Sequence, residues 1–187
     1  MVFPDISSKC SKYFSYRDFI HCGETQAKTD LANLPEQQKS YEALRGIALN
    51  VLDLVVERFG PLKLTYGFCS RDLAKLIPSR ISPKIDQHSS YELNTSGNPI
   101  CDRGGAAVDF LIDDESMLDV AKWVVENIRY DRLYFYGDDL PIHVSYGPQE
   151  TGQIVMMTKK SKNRIVPKVI TREAFMELER TLKFCPN

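Results

Sequence analysis

The sequence predicts an α+β fold in which a small antiparallel sheet is flanked by helices. Apolar residues recur at helical spacing from Tyr41 to Phe59, which is typical of a long amphipathic helix. Segments 62–66, 108–112 and 142–146 alternate between apolar and polar residues, as strands with one buried face do. The predicted order is helix, strand, long loop, strand, helix, two strands and a closing helix, and this order favours an α+β arrangement.

The limits of these elements are predicted from proline, glycine and capping residues. Pro35 suits the first turn of the long helix, and Gly60-Pro61 ends it. Residues 72–100 have no periodic pattern, and an irregular stretch of that length inside a domain is usually functional. The other predicted elements are a short helix capped by Ser15, a helix capped by Asp113 or Asp114 and ending near Asn127, paired strands at 130–136 and 142–146, a further strand at 154–158, and a final helix opened by Thr171, with Phe175, Leu178 and Leu182 facing inward.

Composition and charge limit the classes of function. The chain has 187 residues, predicted as one domain (1–187), and a formal net charge of −1, so no broad nucleic-acid-binding surface is expected. The basic run from Lys159 to Arg164 is interpreted as a solvated loop. No segment approaches the roughly 20 apolar residues of a membrane span. The first residues lack a signal-peptide pattern and the five cysteines lack CxxC spacing, so the chain is expected to be cytoplasmic as synthesised.

Two polar residues on predicted strands form the strongest functional signal. Val108 and Phe110 alternate with Asp109, and Ile142 and Val144 alternate with His143, so the carboxylate and the imidazole should both face away from the core. Both groups are ligands that zinc accepts, and a zinc site that binds substrate needs three protein ligands and an open position. For each residue alone, the simpler interpretation is a strand-end cap for Asp109 and a hydrogen-bonded core histidine for His143.

Five motifs occur in a fixed order along the chain. They are Phe14-Ser-Tyr-Arg-Asp-Phe-Ile20, the helix from Asn33-Leu-Pro35 to Phe59-Gly-Pro61, Thr65-Tyr-Gly-Phe-Cys-Ser70, Gly105-x-Ala107-x-Asp109, and Ile142-His-Val-Ser145. In this order and spacing they resemble the zinc D-alanyl-D-alanine carboxypeptidase family and its bacterial and phage endolysin relatives. The resemblance is strongest over residues 14–147, and it implies the hedgehog/DD-peptidase fold and a Zn²⁺ cofactor.

The resemblance implies three metal ligands, of which Asp109 and His143 match the family motifs directly. The family's motif histidine falls on Asp102, seven residues before Asp109. His88, in the context Asp86-Gln-His-Ser89, is preferred as the third ligand, because two imidazoles and one carboxylate suit zinc better than the reverse. A loop insertion after His88 costs little closure entropy. Asp102 remains the alternative third ligand.

The family's catalytic carboxylate has no direct counterpart in this sequence. Its usual position three residues before the late histidine is Leu140, and its other position, on the preceding strand, is Tyr136. The nearby Asp139 or Asp138 is therefore predicted as the general base. The alternative interpretation is that both aspartates only form the turn between the two strands.

The family's substrate-binding arginine is also displaced. Its position in the turn after the first strand is occupied by Cys69, and Arg71 stands two residues later. Arg71 is predicted to replace it as the residue that contacts the carboxylate of the substrate. In the alternative interpretation, the contact with the substrate carboxylate has been lost.

The resemblance implies two functions of different classes. The first is a zinc-dependent peptidase or amidase that acts on peptidoglycan-like stem peptides, and the missing signal peptide would fit an enzyme released as a phage-type lysin. The second is a catalytically impaired member of the family, in which the pocket serves as a metal-stabilised binding or assembly module. The missing carboxylate and the displaced arginine favour the second. Neither a nucleic acid nor a membrane is expected as a partner.

Overall fold

One mixed sheet of six strands, flanked by helices, forms the framework of the protein. The computed structural model describes residues 3–21, 23–29, 31–77, 83–160 and 164–179. The strands are β1 Lys63–Tyr66, β2 Ala106–Leu111, β3 Arg132–Phe135, β4 Ile142–Tyr146, β5 Gln153–Lys160 and β6 Arg164–Ile170. The helices are α1 Tyr16–Ile20, α2 Glu24–Ala27, α3 Gln38–Ile47, α4 Asp53–Phe59, α5 Arg71–Leu76, α6 Met117–Asn127 and α7 Arg172–Met176.

The predicted α+β class is confirmed, but the sheet is larger than expected and is not purely antiparallel. The strands lie in the order β1-β2-β4-β3-β5-β6, and β3 and β5 run parallel. β4 ends beside the start of β3, where Ser145 pairs with Arg132. Because only the short connection 147–152 follows, β5 has to begin at the same end of the sheet as β3 and runs in the same direction. The parallel pair is therefore a consequence of a short connection.

The long predicted helix is present as a continuous helical stretch from Gln38 to Phe59. A π-helical turn, Ala48–Leu52, joins α3 to α4. Gly60 ends the helix with a positive φ of 91°, as its position in the sequence predicts. Its first turn begins after Pro35 rather than at it, and the buried carboxylate of Glu92 accepts hydrogen bonds from the backbone N–H groups of Glu36 and Gln37.

Three local predictions need correction. Helix α6 is capped by Ser116, whose Oγ accepts from the backbone N–H of Asp119, and not by Asp113 or Asp114. The loop predicted at Lys159–Arg164 comprises the end of β5 and the start of β6, with residues 161–163 outside the described residues. β6 was not predicted because Pro167 interrupts it, and a proline is tolerated there because β6 is an edge strand. Leu182 also lies outside the described residues.

The two faces of the sheet differ in chemistry. On one face, a row of paired residues across four strands is almost completely buried against the helices, and it consists of Val108, Val144, Leu133 and Ile154. The adjacent row on the other face consists of Asp109, His143, Tyr134 and Val155. The second face therefore carries the polar residues, and the loop 83–105 reaches it.

Two further findings concern the chain as a whole. Within the described parts, no helix has the length and apolar character needed to cross a lipid bilayer. Cys10, Cys69 and Cys101 are buried, and the other two cysteines lie outside the described residues.

Candidate metal centre

Two of the predicted ligands are neighbours on adjacent strands. Asp109 of β2 and His143 of β4 are direct cross-strand partners. Since the side chains of paired residues share one face of a sheet, the carboxylate and the imidazole meet above it. His143 Nδ1 lies 2.8 Å from Asp109 Oδ1. The alternation in the sequence thus predicted both residues' face correctly.

The third predicted ligand, His88, arrives from the long loop. The backbone carbonyl of His88 accepts a hydrogen bond from the backbone N–H of Cys69, at 2.9 Å, which fixes this part of the loop beside the end of β1. On the other side, Ser90 Oγ donates to the carbonyl of Gly105 at 2.6 Å, and Gln87 Nε2 donates to the carbonyl of Gly104 at 2.9 Å. The loop is therefore attached at both ends of the site.

Gly104 and Gly105 permit this attachment. Both have positive φ, 66° and 80°. A Cβ atom on Gly104 would lie 2.6 Å from the Tyr91 ring, and one on Gly105 would collide with the backbone carbonyl of Tyr146. Only glycine avoids both the strained backbone and the collision, so the loop can lie directly against the strand ends.

The three side chains converge on one point. His88 Nε2 lies 3.2 Å from His143 Nδ1 and 3.4 Å from Asp109 Oδ1. With the 2.8 Å contact between His143 and Asp109, the three ligand atoms form a nearly regular triangle. A tetrahedral zinc site with bond lengths of 2.0–2.2 Å has edges of about 3.3–3.6 Å. The two sides that include His88 therefore match the edges of such a tetrahedron, and the His143–Asp109 side is shorter by about 0.5 Å.

The hydrogen bond of His88 to the backbone determines which ring nitrogen faces the centre. His88 Nδ1 lies 2.7 Å from the carbonyl oxygen of Gly67. A carbonyl only accepts, so Nδ1 carries the proton, and Nε2 of the neutral ring presents its lone pair to Asp109 and His143. Metal-binding histidines characteristically donate their second nitrogen to such a carbonyl or carboxylate. This arrangement holds His88 in the tautomer that a metal requires.

Burial and charge act in opposite directions at this centre. Burial alone would lower the pKa of His88, but the adjacent Asp109 carboxylate raises it above its ordinary value. Burial would likewise raise the pKa of Asp109, but His88 and His143 hold it well below its usual range. The centre thus stabilises a positive charge beside an ionised carboxylate. Either a metal cation or a protonated imidazole can supply that positive charge.

Solvent reaches the centre from the side of Asp109. Its side chain is 26 % exposed, whereas those of His88 and His143 are 6 % and 8 % exposed. Aromatic rings cover the histidines: the Tyr66 ring centroid lies 4.3 Å from that of His88, and the Tyr134 centroid lies 4.9 Å from that of His143. The group can hold a metal ion, and the partly exposed Asp109 side chain is its contact with solvent.

Asp102, the alternative ligand, is not part of this group. It is exposed, and its backbone N–H donates to the carbonyl of Lys84 at 2.9 Å. The position to which the family spacing assigns a histidine thus lies at the surface in this chain. The loop between His88 and Gly105 instead places His88 beside the strand pair.

The two candidate general bases occupy different environments. Asp138 caps α6: its carboxylate accepts from Ser116 Oγ at 2.5 Å and from the Leu118 backbone N–H at 3.1 Å. Asp139 is exposed in the turn between β3 and β4, next to Leu140, which is 44 % exposed. Asp138 therefore already serves a structural purpose, and Asp139 has the more accessible carboxylate of the two.

Arg71 lies at the first position of α5. Its guanidinium lies 3.9 Å from a carboxylate oxygen of Glu36 and 3.7 Å from one of Asp72, and its side chain is 31 % exposed. Its charge is thus already shared with two carboxylates of the protein. Among the described residues, no hydrogen bond or ion pair joins Arg71 to the three metal-ligand candidates.

Three residues at the centre were not predicted from the sequence. Asp86 Oδ1 accepts from the His88 backbone N–H at 3.1 Å and so shapes the turn that carries the ligand. Tyr134 is the cross-strand partner of His143 on β3. Burial first, and then the charge of Asp109, raise the pKa of Tyr136, which keeps its phenol protonated. Of these three residues, only Asp86 has a sequence signal: an aspartate two residues before His88 is typical of a side chain that caps a turn.

Comparison with protein-family models, curated proteins and solved structures gives no significant match for this chain. Its functional assignment consequently depends on the geometry of the centre and on the sequence motifs.

Proposed function

We propose that the protein is a zinc-dependent hydrolase of peptide or amide bonds, with peptidoglycan-like stem peptides as its substrates. The single observation that carries the proposal is the triangle of His88 Nε2, Asp109 Oδ1 and His143 Nδ1, which has sides of 2.8–3.4 Å and a partly exposed carboxylate. Three protein ligands with an open fourth position are typical of catalytic zinc sites, whereas structural zinc sites use four protein ligands. The hedgehog/DD-peptidase fold is part of the same proposal.

Zinc is the preferred ion because of the ligand types. Two imidazole nitrogens and one carboxylate oxygen form a mixed set that suits a borderline cation, whereas magnesium and calcium favour oxygen-only sites. The hydrogen bond from His88 to the Gly67 carbonyl also selects, for the neutral ring, the tautomer that zinc binds. Bound zinc supplies a Lewis acid for the scissile carbonyl and lowers the pKa of a coordinated water to about 7.

The residues of this chain would then bind, orient and move protons. His88, Asp109 and His143 hold the ion, and Tyr66 and Tyr134 restrict solvent around the two histidines. Asp139 is proposed as the general base, because Asp138 is engaged in capping α6. In this role Asp139 accepts a proton from the attacking water and returns it to the leaving amine. Tyr136, whose phenol stays protonated, can donate a hydrogen bond to a negatively charged oxygen.

A second candidate function is favoured by the placement of the carboxylates. Leu140 stands where the family has its acid, Asp138 caps a helix, and Asp139 is exposed in a turn. A site with these properties is also consistent with a protein that binds metal and ligand without turnover. In that case the pocket serves as a metal-stabilised binding or assembly module.

Metal analysis and hydrolysis assays separate the two functions. We expect about one zinc per chain in protein purified without chelator, and expect His88→Ala to lose it while Asp102→Asn retains it. For a hydrolase, Asp139→Ala abolishes cleavage of muropeptides at unchanged zinc content, and Asp138→Asn lowers stability instead. Zinc binding without cleavage by the wild type would refute the hydrolase and support the binding module. Absence of zinc after supplementation would refute both.

A further inference from the structure

Arg132 lies on the same face of the sheet as the metal centre. It pairs with Ser145 across β3 and β4, two residues along the strand from His143. Given strand spacings of about 4.8 Å and a rise of about 3.3 Å per residue, the Cα atoms of Arg132 and His143 are roughly 8 Å apart. Its Nη1 donates to the phenol oxygen of Tyr134 at 3.1 Å, and the Tyr134 ring packs on His143. The guanidinium is therefore linked to the metal centre through one side chain.

The contact with Tyr134 uses only part of the hydrogen-bonding capacity of Arg132. Its Nε is buried without a hydrogen-bond partner, and the residue forms no ion pair in the part of the chain that the structure describes. The nearest carboxylate in sequence, Asp131, is already occupied by Arg103, whose Nη2 donates to it at 2.6 Å. A partly buried cation without a counter-charge is costly, and arginine presents a planar fork that suits a carboxylate.

Arg71 provides an internal comparison. It also has a buried Nε without a hydrogen-bond partner, but Glu36 and Asp72 lie within 4 Å of its guanidinium. The counter-charge of Arg71 thus belongs to the protein, whereas no carboxylate of the described residues forms an ion pair with Arg132. The two arginines therefore differ in what they can offer to a ligand.

We infer that Arg132, oriented by Tyr134, forms a subsite for a carboxylate of the substrate, in place of the predicted Arg71. This inference rests on the proposed function of the metal centre. Because a chain advances at most about 3.3–3.6 Å per residue, the recognised carboxylate stands one or two residues from the carbonyl at the metal. The substrate is consequently a peptide with a free carboxylate near the scissile bond, either at its C-terminus or on an acidic side chain.

The test measures binding by NMR titration of the zinc-loaded protein, so that it does not depend on turnover. The probes are N-acetyl-D-alanyl-D-alanine, its C-terminal amide, and the amide of N-acetyl-D-alanyl-D-glutamic acid, which carries only a side-chain carboxylate. Loss of a charge-assisted hydrogen bond typically weakens binding by about 10–100-fold. We expect the wild type to prefer one of the two acids over the neutral amide by this factor, and the preferred acid identifies the source of the carboxylate.

Variants test whether Arg132 causes the preference for the acid over the neutral amide. Arg132→Gln should abolish it at unchanged zinc content, and Arg132→Lys should retain part of it because the charge is kept. Arg129→Gln, which changes a surface arginine with 85 % of its side chain exposed, should leave it unchanged. No preference in the wild type, retention of the preference by Arg132→Gln, or its loss in Arg71→Gln alone would overturn the subsite.

Hydrolysis of the same probes is scored separately. A preference that depends on Arg132 without any cleavage supports the subsite and refutes the hydrolase. Cleavage without a preference for the acids refutes the subsite and leaves the hydrolase intact.

Discussion

Two clusters of charged side chains lie within the same sheet, and only one of them contains an arginine that neutralises its carboxylate. At the start of β3, the Asp131 carboxylate accepts from Arg103 Nη2 at 2.6 Å and Nε at 3.1 Å, and from the Thr151 backbone N–H and hydroxyl at 3.2 and 2.9 Å. At the metal centre, His143 Nδ1 lies 2.8 Å from Asp109 Oδ1 and 3.2 Å from His88 Nε2.

The difference between the clusters indicates their roles. The Arg103–Asp131 cluster contains its own cation and satisfies both carboxylate oxygens, so it needs nothing from solution. In the His88–Asp109–His143 cluster, one carboxylate oxygen faces two imidazole nitrogens, and neither imidazole is a permanent cation as a guanidinium is. The same three atoms are all possible metal ligands. The first cluster therefore stabilises the fold, and the second can bind an ion.

The largest expected effect concerns the ligands themselves. His143→Ala and Asp109→Ala should each weaken zinc binding by on the order of 1000-fold or more, which exceeds the roughly 10–100-fold effect of outer-shell partners. Asp131→Asn should leave zinc affinity unchanged, because its cluster does not contribute a ligand. Competition with a chromogenic chelator measures the affinities. Unchanged zinc affinity in His143→Ala would contradict the inference that the His88–Asp109–His143 cluster binds the ion.

The second prediction concerns the completed ion pair. Asp131→Ala leaves Arg103, 13 % exposed, next to an empty site, and breaking one side of a buried pair costs about 3–5 kcal/mol. The free energy of unfolding, measured with urea in the presence of chelator, should fall by this amount. The double variant Arg103→Ala/Asp131→Ala should recover part of the loss. Equal stability of Asp131→Ala and the wild type would mean that the pair is not structural.

Acid should weaken the same ion pair. Burial alone would raise the pKa of Asp131, but Arg103 and Thr151 hold it below its ordinary value of 3.8. A carboxylate with a lowered folded-state pKa contributes stability that is present above about pH 4 and lost as the pH falls through the folded-state pKa. The stability difference between the wild type and Asp131→Asn should therefore narrow between about pH 5 and pH 2. A constant difference over this range, measured without metal, would contradict the lowered pKa.

The smallest expected effect is at a third buried carboxylate, Glu92, which forms no ion pair in the described part of the chain. It accepts from Ser40 Oγ at 2.7 Å and from two backbone N–H groups before α3, and burial raises its pKa. Glu92→Gln keeps an acceptor oxygen without the charge and should change stability by less than about 1 kcal/mol. Glu92→Ala removes a helix cap and should cost about 1–2 kcal/mol. Thermal unfolding of both variants measures the difference, and equal losses would show that the charge of Glu92 matters more than its hydrogen bonds.

The sequence by itself determined the local features of this protein. The period of apolar residues determined the long helix, and the alternation around Asp109 and His143 determined that both face away from the core. Gly60, Gly104 and Gly105 marked positions of positive φ. These features were predictable because they depend on residues close together in the chain, where backbone sterics and side-chain direction act directly.

Only the tertiary structure decided how distant segments meet. The position of His88 beside the strand pair depends on Gly67 and Gly105, which lie 21 residues before it and 17 after it in the chain. The helix-capping contact of Asp138 and the ion pair between Arg103 and Asp131 also join segments that are distant in the chain. The buried Nε of Arg132, which has no hydrogen-bond partner, is likewise a result of the fold. The spacing of residues along a loop does not set its path, because many closures of similar entropy compete and specific packing selects among them. The candidate ligands could thus be named from the sequence, whereas their convergence on one point required the fold.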